Sequence, residues 1–210
     1  MGIWSEVKMI MERDPAARNP FEVLLLYSGV HAVMNHRLAH WFYRHHCKFI
    51  ARFLSQLSRF FTGIEIHPGA QIGKGLLIDH GIGVVIGETA VIGDGCTIYQ
   101  GVTLGGTGKD KGKRHPTIGN HVMIGAGAKV LGPFTVGDGA KIAANAVVLS
   151  EVPPYSTCVG VPARVVKRNG ISVKECYDSE IDQIHIPDPV SQELCKLKAR
   201  LEKLEGRESE

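Results

Sequence analysis

The sequence has few of the features that mark secreted, membrane-spanning or disulfide-stapled proteins. No apolar run approaches the length of a membrane span, and the N-terminus lacks the basic and apolar segments of a signal peptide. The cysteines are odd in number, widely spaced and never arranged as C-x-x-C, which favours reduced thiols. They are Cys47, Cys96, Cys158, Cys176 and Cys195. We therefore expect a cytoplasmic protein with no membrane span.

The sequence also lacks a large excess of charge of either sign, whereas glycine is abundant. The net charge is only +3 and no long Lys/Arg run occurs, which argues against general nucleic-acid binding. Glycine accounts for 25 of the 210 residues, well above the usual share of about 7%. These glycines do not follow the three-residue period of collagen, so another repeat must explain them.

Residues 1–62 have the spacing of amphipathic helices. Apolar residues recur three and four positions apart from Phe21 to Phe61, and Asn19-Pro20 marks a helix start because proline suits a first helical turn. We predict a helical N-terminal region over 1–62.

From Gly63 the period changes to six. An aliphatic anchor opens each hexad, with a phase slip of two residues after Val84 and a polar interruption from Gly105 to Thr117. The anchors are Ile66, Ile72, Ile78, Val84, Ile86, Ile92, Ile98, Leu104, Ile118, Ile124, Val130, Val136, Ile142 and Val148.

Two further hexad positions are also restricted. Four residues after every anchor except Val84 stands an apolar or small residue, for example Ile82 or Cys96, and three residues after it glycine is common, replaced once by Asn145. A short strand and a sharp corner every six residues close a triangular coil after three hexads, and such coils stack in parallel. We predict a parallel β-helix of four to five coils, with the small residues inside and glycine or Asn145 at positive-φ corners.

The end of the repeat and the tail are less regular. We expect Pro153 and Pro154 to end the last coil. The β-helical domain then spans 63–168, and a C-terminal tail spans 169–210. In that tail Val190, Leu194, Leu197, Leu201 and Leu204 form a short heptad seam. It fits either a helix that zips a trimer or a surface helix.

Several motifs resemble the hexapeptide acyltransferase superfamily and, more narrowly, the serine acetyltransferase family. The resemblance covers roughly residues 5–168 and implies a mainly β, left-handed parallel β-helix. The motifs are Glu12-Arg13-Asp14-Pro15, Ile66-His67-Pro68, Asp79-His80-Gly81, Gly87-Glu88-Thr89-Ala90, Val102 to Lys109, Arg114-His115-Pro116, Met123 to Lys129 and Gly160-Val161-Pro162-Ala163.

This resemblance implies transfer of an acetyl group from acetyl-CoA to the L-serine hydroxyl, giving O-acetyl-L-serine in the first step of cysteine biosynthesis, with no metal. It also implies a homotrimer with intersubunit active sites and feedback inhibition by L-cysteine. Longer members carry extra helices that join two trimers; these are not seen here, so we expect a trimer. The last residue is Glu210, where the family typically has isoleucine, so binding to O-acetylserine sulfhydrylase is not expected.

The resemblance assigns His80 as general base, a role that suits an imidazole because its pKa lies near working pH. The family's partner carboxylate is aspartate, and Glu65 occupies that position here. The ammonium of serine would be held by Asp14 and Asp79, and its carboxylate by Arg114 and His115. Coenzyme A would lie along Gly106, Ala126, Lys141 and Ala144. Structural roles remain open for several of these: a helix cap for Asp14, a solvated loop for Arg114, an exposed edge for Glu65.

Three other functions remain to be weighed. One alternative is an acetyltransferase with a sugar or xenobiotic acceptor, although the Asp14 segment and Arg114-His115 suit an amino acid. A γ-carbonic-anhydrase-like zinc site would use His80, His115 and His121, although their spacing does not match that family. A non-catalytic β-helical scaffold would leave His80 without a function.

Overall fold

The computed structural model describes residues 3–108 and 111–172, together with Leu197 and Arg200. Helices lead into a parallel β-solenoid of about five turns, so the chain is mainly β as predicted. The helices are α1 (Ile3–Met11), α2 (Pro20–Leu26), α3 (Ser28–Arg44) and α4 (Lys48–Thr62). The strands are β1 (Glu65–Ile66), β2 (Gln71–Ile72), β3 (Leu77–Asp79), β4 (Val85–Ile86), β5 (Val91–Ile92), β6 (Thr97–Tyr99), β7 (Thr103–Gly105), β8 (Thr117–Ile118), β9 (Met123–Ile124), β10 (Lys129–Leu131), β11 (Thr135–Val136), β12 (Lys141–Ile142), β13 (Val147–Val148), β14 (Ser156–Val159), β15 (Arg164–Arg168) and β16 (Ile171–Ser172).

The helix boundaries follow local sequence signals. The Asn19 side chain accepts a hydrogen bond from the Glu22 N–H at 2.8 Å, and Pro20 occupies the first helical position. Gly63 ends α4 in the left-handed conformation, with φ of 70°. The change from helix to strand therefore falls at the glycine where the sequence period changes.

Three parallel sheets form the faces of the solenoid. Sheet A contains β1, β4, β7, β10 and β13; sheet B contains β2, β5, β8 and β11; sheet C contains β3, β6, β9, β12 and β14, extended by β15 and β16. Register aligns the anchors of successive coils, for example Ile66 with Ile86 and Ile86 with Leu104. These columns are buried inside the prism, where the hexad pattern placed them.

Two corners are longer than the repeat requires. A regular coil takes eighteen residues, as in the pairing of Val85 with Thr103. The first coil takes twenty, from Glu65 to Val85, and the coil from Val91 to Thr117 takes twenty-six. The extra residues form the segment after Asp79 and the loop after Gly105. The inward position predicted for Ile82 is wrong: its side chain is 70% exposed because it lies in the lengthened corner.

The expectation that Pro153 and Pro154 end the last coil is also wrong. The chain passes them and adds β14, which pairs in parallel with β12. Pro154 packs on Gly137, where a Cβ would lie 2.5 Å from the proline nitrogen. The chain then reverses, and β15 and β16 pair antiparallel as a covering hairpin.

Helices α3 and α4 cover the opposite end of the solenoid. The Ser55 hydroxyl, on α4, donates to the Ile66 carbonyl at 2.7 Å and so satisfies a backbone group at the edge of the first coil. Both open ends of the stack are thus covered within the chain.

Three further predictions concern Cys96, membrane spans and the heptad seam of the tail. Cys96 is buried in the solenoid core, as its hexad position predicted. None of the helices in the described part of the chain is long and apolar enough to cross a membrane. The heptad seam of the tail lies outside the described residues, apart from Leu197, which is helical.

Candidate active site

His80 lies at the lengthened corner between sheets C and A, which we call the C–A corner. It directly follows Asp79, the last residue of β3, and adopts φ of 56° in the left-handed region. This backbone turns the imidazole outward, where its side chain is 77% exposed, with Nε2 3.9 Å from Asp79 Oδ1. The ring is therefore available to a ligand outside the prism.

A groove of about 1190 Å³ runs from His80 along the C–A corner and the outer face of sheet C. Ala126 and Ala144 line it at successive coils, and Lys141 of β12 contributes a cation. The small side chains leave room for a long, thin ligand beside the backbone. The structure thus brings His80 together with three of the four predicted coenzyme-binding residues.

The two predicted ammonium-binding carboxylates lie near one tyrosine that the sequence analysis did not identify. The Tyr27 hydroxyl donates to Asp14 Oδ2 at 2.6 Å, while Asp14 Oδ1 accepts from the Ala16 N–H at 2.8 Å. The hydrogen bond to Asp14, with burial and the charge of Asp79 among the further causes, raises the pKa of Tyr27 to about 12. Asp14 does not cap α2, since Asn19 does so.

Arg13 fixes the segment that carries Asp14. Its guanidinium donates to the carbonyls of Gly75, Gly95 and Cys96, the last two at 2.7 and 3.1 Å from Nη1. Nε donates to the Met9 carbonyl at 3.0 Å. Burial lowers the pKa of Arg13. The arginine ties the end of α1 to the corner between sheets B and C and thereby places Asp14.

Arg114 and His115 lie at a different corner, between sheets A and B, which we call the A–B corner. Arg114 pairs with Glu88, and the Tyr43 hydroxyl donates to the second Glu88 oxygen at 2.9 Å. These two donors, Arg114 first, lower the pKa of Glu88. Gly106 adjoins Arg114, since a Cβ there would lie 3.0 Å from the Arg114 carbonyl oxygen. Gly106 is therefore at this corner and does not line the groove beside His80.

The His115 ring is largely buried against the backbone of the preceding coil. A Cβ on Gly87 would lie 2.0 Å from His115 Cδ2, so the ring occupies the space of a side chain at Gly87. Burial, followed by the charge of Arg114, lowers the pKa of His115 and favours the neutral imidazole. The motif Gly87-Glu88-Thr89 was the available sequence signal for these contacts.

Glu65 flanks the C–A corner one coil below His80. The Gly63 carbonyl accepts from the Gly83 N–H at 2.9 Å, which stacks the start of β1 against the His80 segment. The Glu65 carboxylate pairs with Arg59 at 2.9 Å and with Arg52 at 3.3 Å. Among the described residues, no hydrogen bond or ion pair joins Glu65 to His80.

Within one chain, the predicted site residues therefore form two clusters. Asp79 and His80 lie at the C–A corner and Asp14 is related to them through Tyr27, whereas Arg114, His115 and Gly106 lie at the A–B corner. The histidines of the zinc alternative are also spread out, because His121 lies at the third corner, between sheets B and C. In residues 3–108 and 111–172, no group of three or more His, Cys, Asp or Glu side chains is placed to hold a metal.

A parallel β-solenoid of hexapeptide repeats, with an exposed histidine at the head of a corner groove, is the architecture expected of a hexapeptide-repeat acyltransferase. The family model described as bacterial transferase hexapeptide (six repeats) matches residues 115–150. A curated serine acetyltransferase of Staphylococcus aureus is 55% identical over 198 residues, covering 94% of this chain and 91% of that protein.

Solved structures agree with this relationship. The Neisseria gonorrhoeae serine acetyltransferase in complex with serine is 47% identical with a TM-score of 0.76, covering 79% of this chain and 67% of that one. A serine acetyltransferase in complex with cysteine is 46% identical with a TM-score of 0.77, and its match covers 78% of this chain and 64% of that longer one. The chain belongs to the serine acetyltransferase family.

Proposed function

We propose that this chain transfers the acetyl group of acetyl-CoA to the hydroxyl of L-serine, giving O-acetyl-L-serine for cysteine synthesis. The observation that carries the proposal is the exposed His80 imidazole beside Asp79, at the head of a groove lined by small side chains. The similarity to serine acetyltransferases, including one solved with serine, supports serine as acceptor.

His80 acts as the general base. Its imidazole accepts the serine hydroxyl proton as the serine oxygen bonds to the thioester carbonyl carbon. When the carbon–sulfur bond breaks, the protonated ring returns that proton to the departing thiolate. Transfer is direct, and Cys96 cannot form an acetyl-enzyme because it is buried and its pKa is raised by that burial. A backbone N–H of the Gly105-Gly106 segment is proposed to stabilise the oxyanion.

Recognition of serine as an amino acid uses charges of both signs. Asp14 and Asp79 would hold the ammonium group, and Tyr27 keeps the Asp14 carboxylate in one orientation. Arg114 and His115 would hold the carboxylate, with Glu88 fixing the guanidinium. An amino acid with a thiol in place of the hydroxyl has the same charged end, so L-cysteine would compete at this site as an inhibitor.

Acetyl-CoA would lie in the groove as co-substrate. Ala126 and Ala144, which line the groove, would let the pantetheine arm approach the backbone, and Lys141 would bind a phosphate. Gly106 would meet the ligand from the A–B corner, beside Arg114.

The two clusters imply that the site is completed between subunits. His80 and Arg114 occupy different corners of one prism, so the A–B corner of a neighbouring copy has to approach the C–A corner of the first. A closed ring of three copies provides this contact at every interface. We therefore propose a homotrimer. The cysteines that the structure describes, Cys47, Cys96 and Cys158, are free, which suits a reducing cytoplasm.

The test follows thiol release from acetyl-CoA with serine, homoserine, a sugar or no acceptor. We expect release that depends on serine, and a fall in kcat of roughly 100-fold or more in His80→Asn. Asparagine tolerates the left-handed backbone at this position, so the fold should be kept. Release without serine, preference for a sugar, or full activity in the variant would reject the proposal.

A further inference from the structure

The Thr89 hydroxyl is fully used in holding the Arg114–His115 segment. Its oxygen accepts from the backbone N–H groups of Arg114 and His115, each at 3.0 Å. A hydroxyl has two acceptor lone pairs and one proton. With both lone pairs occupied, the remaining proton points to the His115 ring, where Oγ1 lies 2.9 Å from Nδ1.

His115 Nδ1 receives a second donor from the same residue. The Thr89 backbone N–H donates to it at 3.2 Å. A ring nitrogen that faces an N–H and an O–H has to be the unprotonated one, because a proton there would oppose both donors. The neutral ring therefore carries its proton on Nε2, and among the described residues Thr89 supplies both donors that set this tautomer.

The tautomer decides what the ring offers to a ligand. His115 is 8% exposed, and its Nε2 has no hydrogen-bond partner among the described residues. With Nε2 protonated, the ring is a neutral donor, suited to a carboxylate oxygen; in the other tautomer it would present a lone pair and repel that oxygen. Arg114 beside it supplies the charge.

We propose that Thr89 is a positioning residue that holds His115 as the Nε2–H tautomer, so that His115 and Arg114 together select the carboxylate of the acceptor. The inference rests on the proposed function, since it takes serine as the acceptor. It adds a role for a residue that touches no reacting atom. It also identifies the neutral imidazole as a specificity determinant against amino alcohols that lack a carboxylate.

The test compares Thr89→Val with Thr89→Ser in the full-length enzyme. Valine keeps the shape and removes the hydroxyl, whereas serine keeps the hydroxyl. We expect the KM for serine to rise about tenfold in Thr89→Val with a much smaller change in kcat, because buried partners lose their hydrogen bonds. Thr89→Ser should recover most of the loss. The ratio of kcat/KM for serine to kcat/KM for ethanolamine should fall in Thr89→Val and recover in Thr89→Ser.

A second measurement does not depend on activity. In protein with nitrogen-15-labelled histidine, His115 should give the shifts of an Nε2–H ring in the wild type, with its signal assigned by loss in His115→Gln. Gly87→Ala, whose backbone φ is ordinary, should push the ring away and raise the KM for serine as Thr89→Val does.

The outcomes separate the two proposals. A wild-type enzyme that fails to acetylate serine rejects the proposed function, whatever the spectrum of His115 shows. A wild type that acetylates serine, with an Nδ1–H ring or with Thr89→Val unchanged in KM, overturns the role of Thr89. If Thr89→Val does not fold, the wild-type nitrogen-15 spectrum still tests the tautomer of His115. Gly87→Ala still tests whether the position of the His115 ring sets the KM for serine.

Discussion

The Tyr27 hydroxyl lies 2.6 Å from Asp14 Oδ2 and joins the start of α3 to the turn after α1. Asp79 is close enough for its charge to contribute to the raised pKa of the same phenol. The neutral Tyr27 hydroxyl therefore lies near both Asp14 and Asp79, the two carboxylates proposed to bind the ammonium group of serine.

Tyr27→Phe should weaken serine binding and leave the chemistry largely intact. Without the donor, the Asp14 carboxylate loses its fixed orientation. We expect the KM for serine to rise about tenfold, since a hydrogen bond to a charged group contributes roughly 1.5 kcal/mol. Steady-state kinetics in serine check this, with Asp14→Asn expected to have a larger effect. An unchanged KM would show that Tyr27 only anchors the helix.

The substitution Glu65→Gln tests whether Glu65 acts in catalysis or only forms ion pairs. If Glu65 orients His80 in the assembled enzyme, kcat should fall about tenfold or more, as in other carboxylate–histidine pairs. Glu65→Asp, which places the family's residue, should retain activity. The control is Arg59→Ala, which removes an ion-pair partner of Glu65 and should cost at most about 1 kcal/mol in stability. Full kcat in Glu65→Gln would assign the residue to that ion pair alone.

Mixed assemblies test whether the site lies between subunits. His80→Asn and Arg114→Ala chains, each inactive alone, would be co-expressed with different tags. Random mixing in a ring should restore roughly a quarter of wild-type activity, because some interfaces then combine an intact His80 with an intact Arg114 from the neighbour. Light scattering should show three copies. No recovery in a confirmed mixed assembly would place both residues in the same subunit's site.

Acid should destabilise the fold through His36. Its side chain is buried on α3, Nδ1 has no hydrogen-bond partner among the described residues, and burial lowers its pKa to about 3. Between that value and the ordinary pKa of about 6.5, the unfolded chain binds the proton that the folded chain excludes, so stability rises with pH across this window.

At pH 4.5 this one group should reduce the free energy of unfolding by about 3 kcal/mol relative to pH 7. Urea unfolding at the two pH values would measure it. His36→Gln should flatten the dependence by that amount, while His46→Asn, at an exposed position with positive φ, should not. Equal slopes in the wild type and His36→Gln would contradict the prediction.

The regular part of the fold was predictable because its signal is repeated. Each aliphatic anchor is weak alone, yet the same spacing through the domain leaves only a stacked coil in which Ile66, Ile86 and Leu104 fall in one column. Gly63 marked the change from helix to strand, and Asn145 takes positive φ as predicted.

The irregular parts were not predictable from spacing. Ile82 fits the inward pattern, but two extra residues in its corner turn it outward, and no periodic rule describes a lengthened corner. The contacts of Arg13 with Gly95 and of Glu88 with Arg114 join residues far apart in the chain. Their partners depend on how loops approach one another in space. The family motifs located those residues without indicating what they touch.

The covered ends of the solenoid limit how copies of this chain can meet. Helices α3 and α4 pack on the first coil, and β14 at the other end is paired with β15, so the outermost described strand of sheet C is the two-residue β16. A strand this short offers little backbone for pairing with another chain, which disfavours growth into a fibre along the axis. Flank-to-flank contact between copies, which the proposed trimer requires, would leave both covered ends of the solenoid undisturbed.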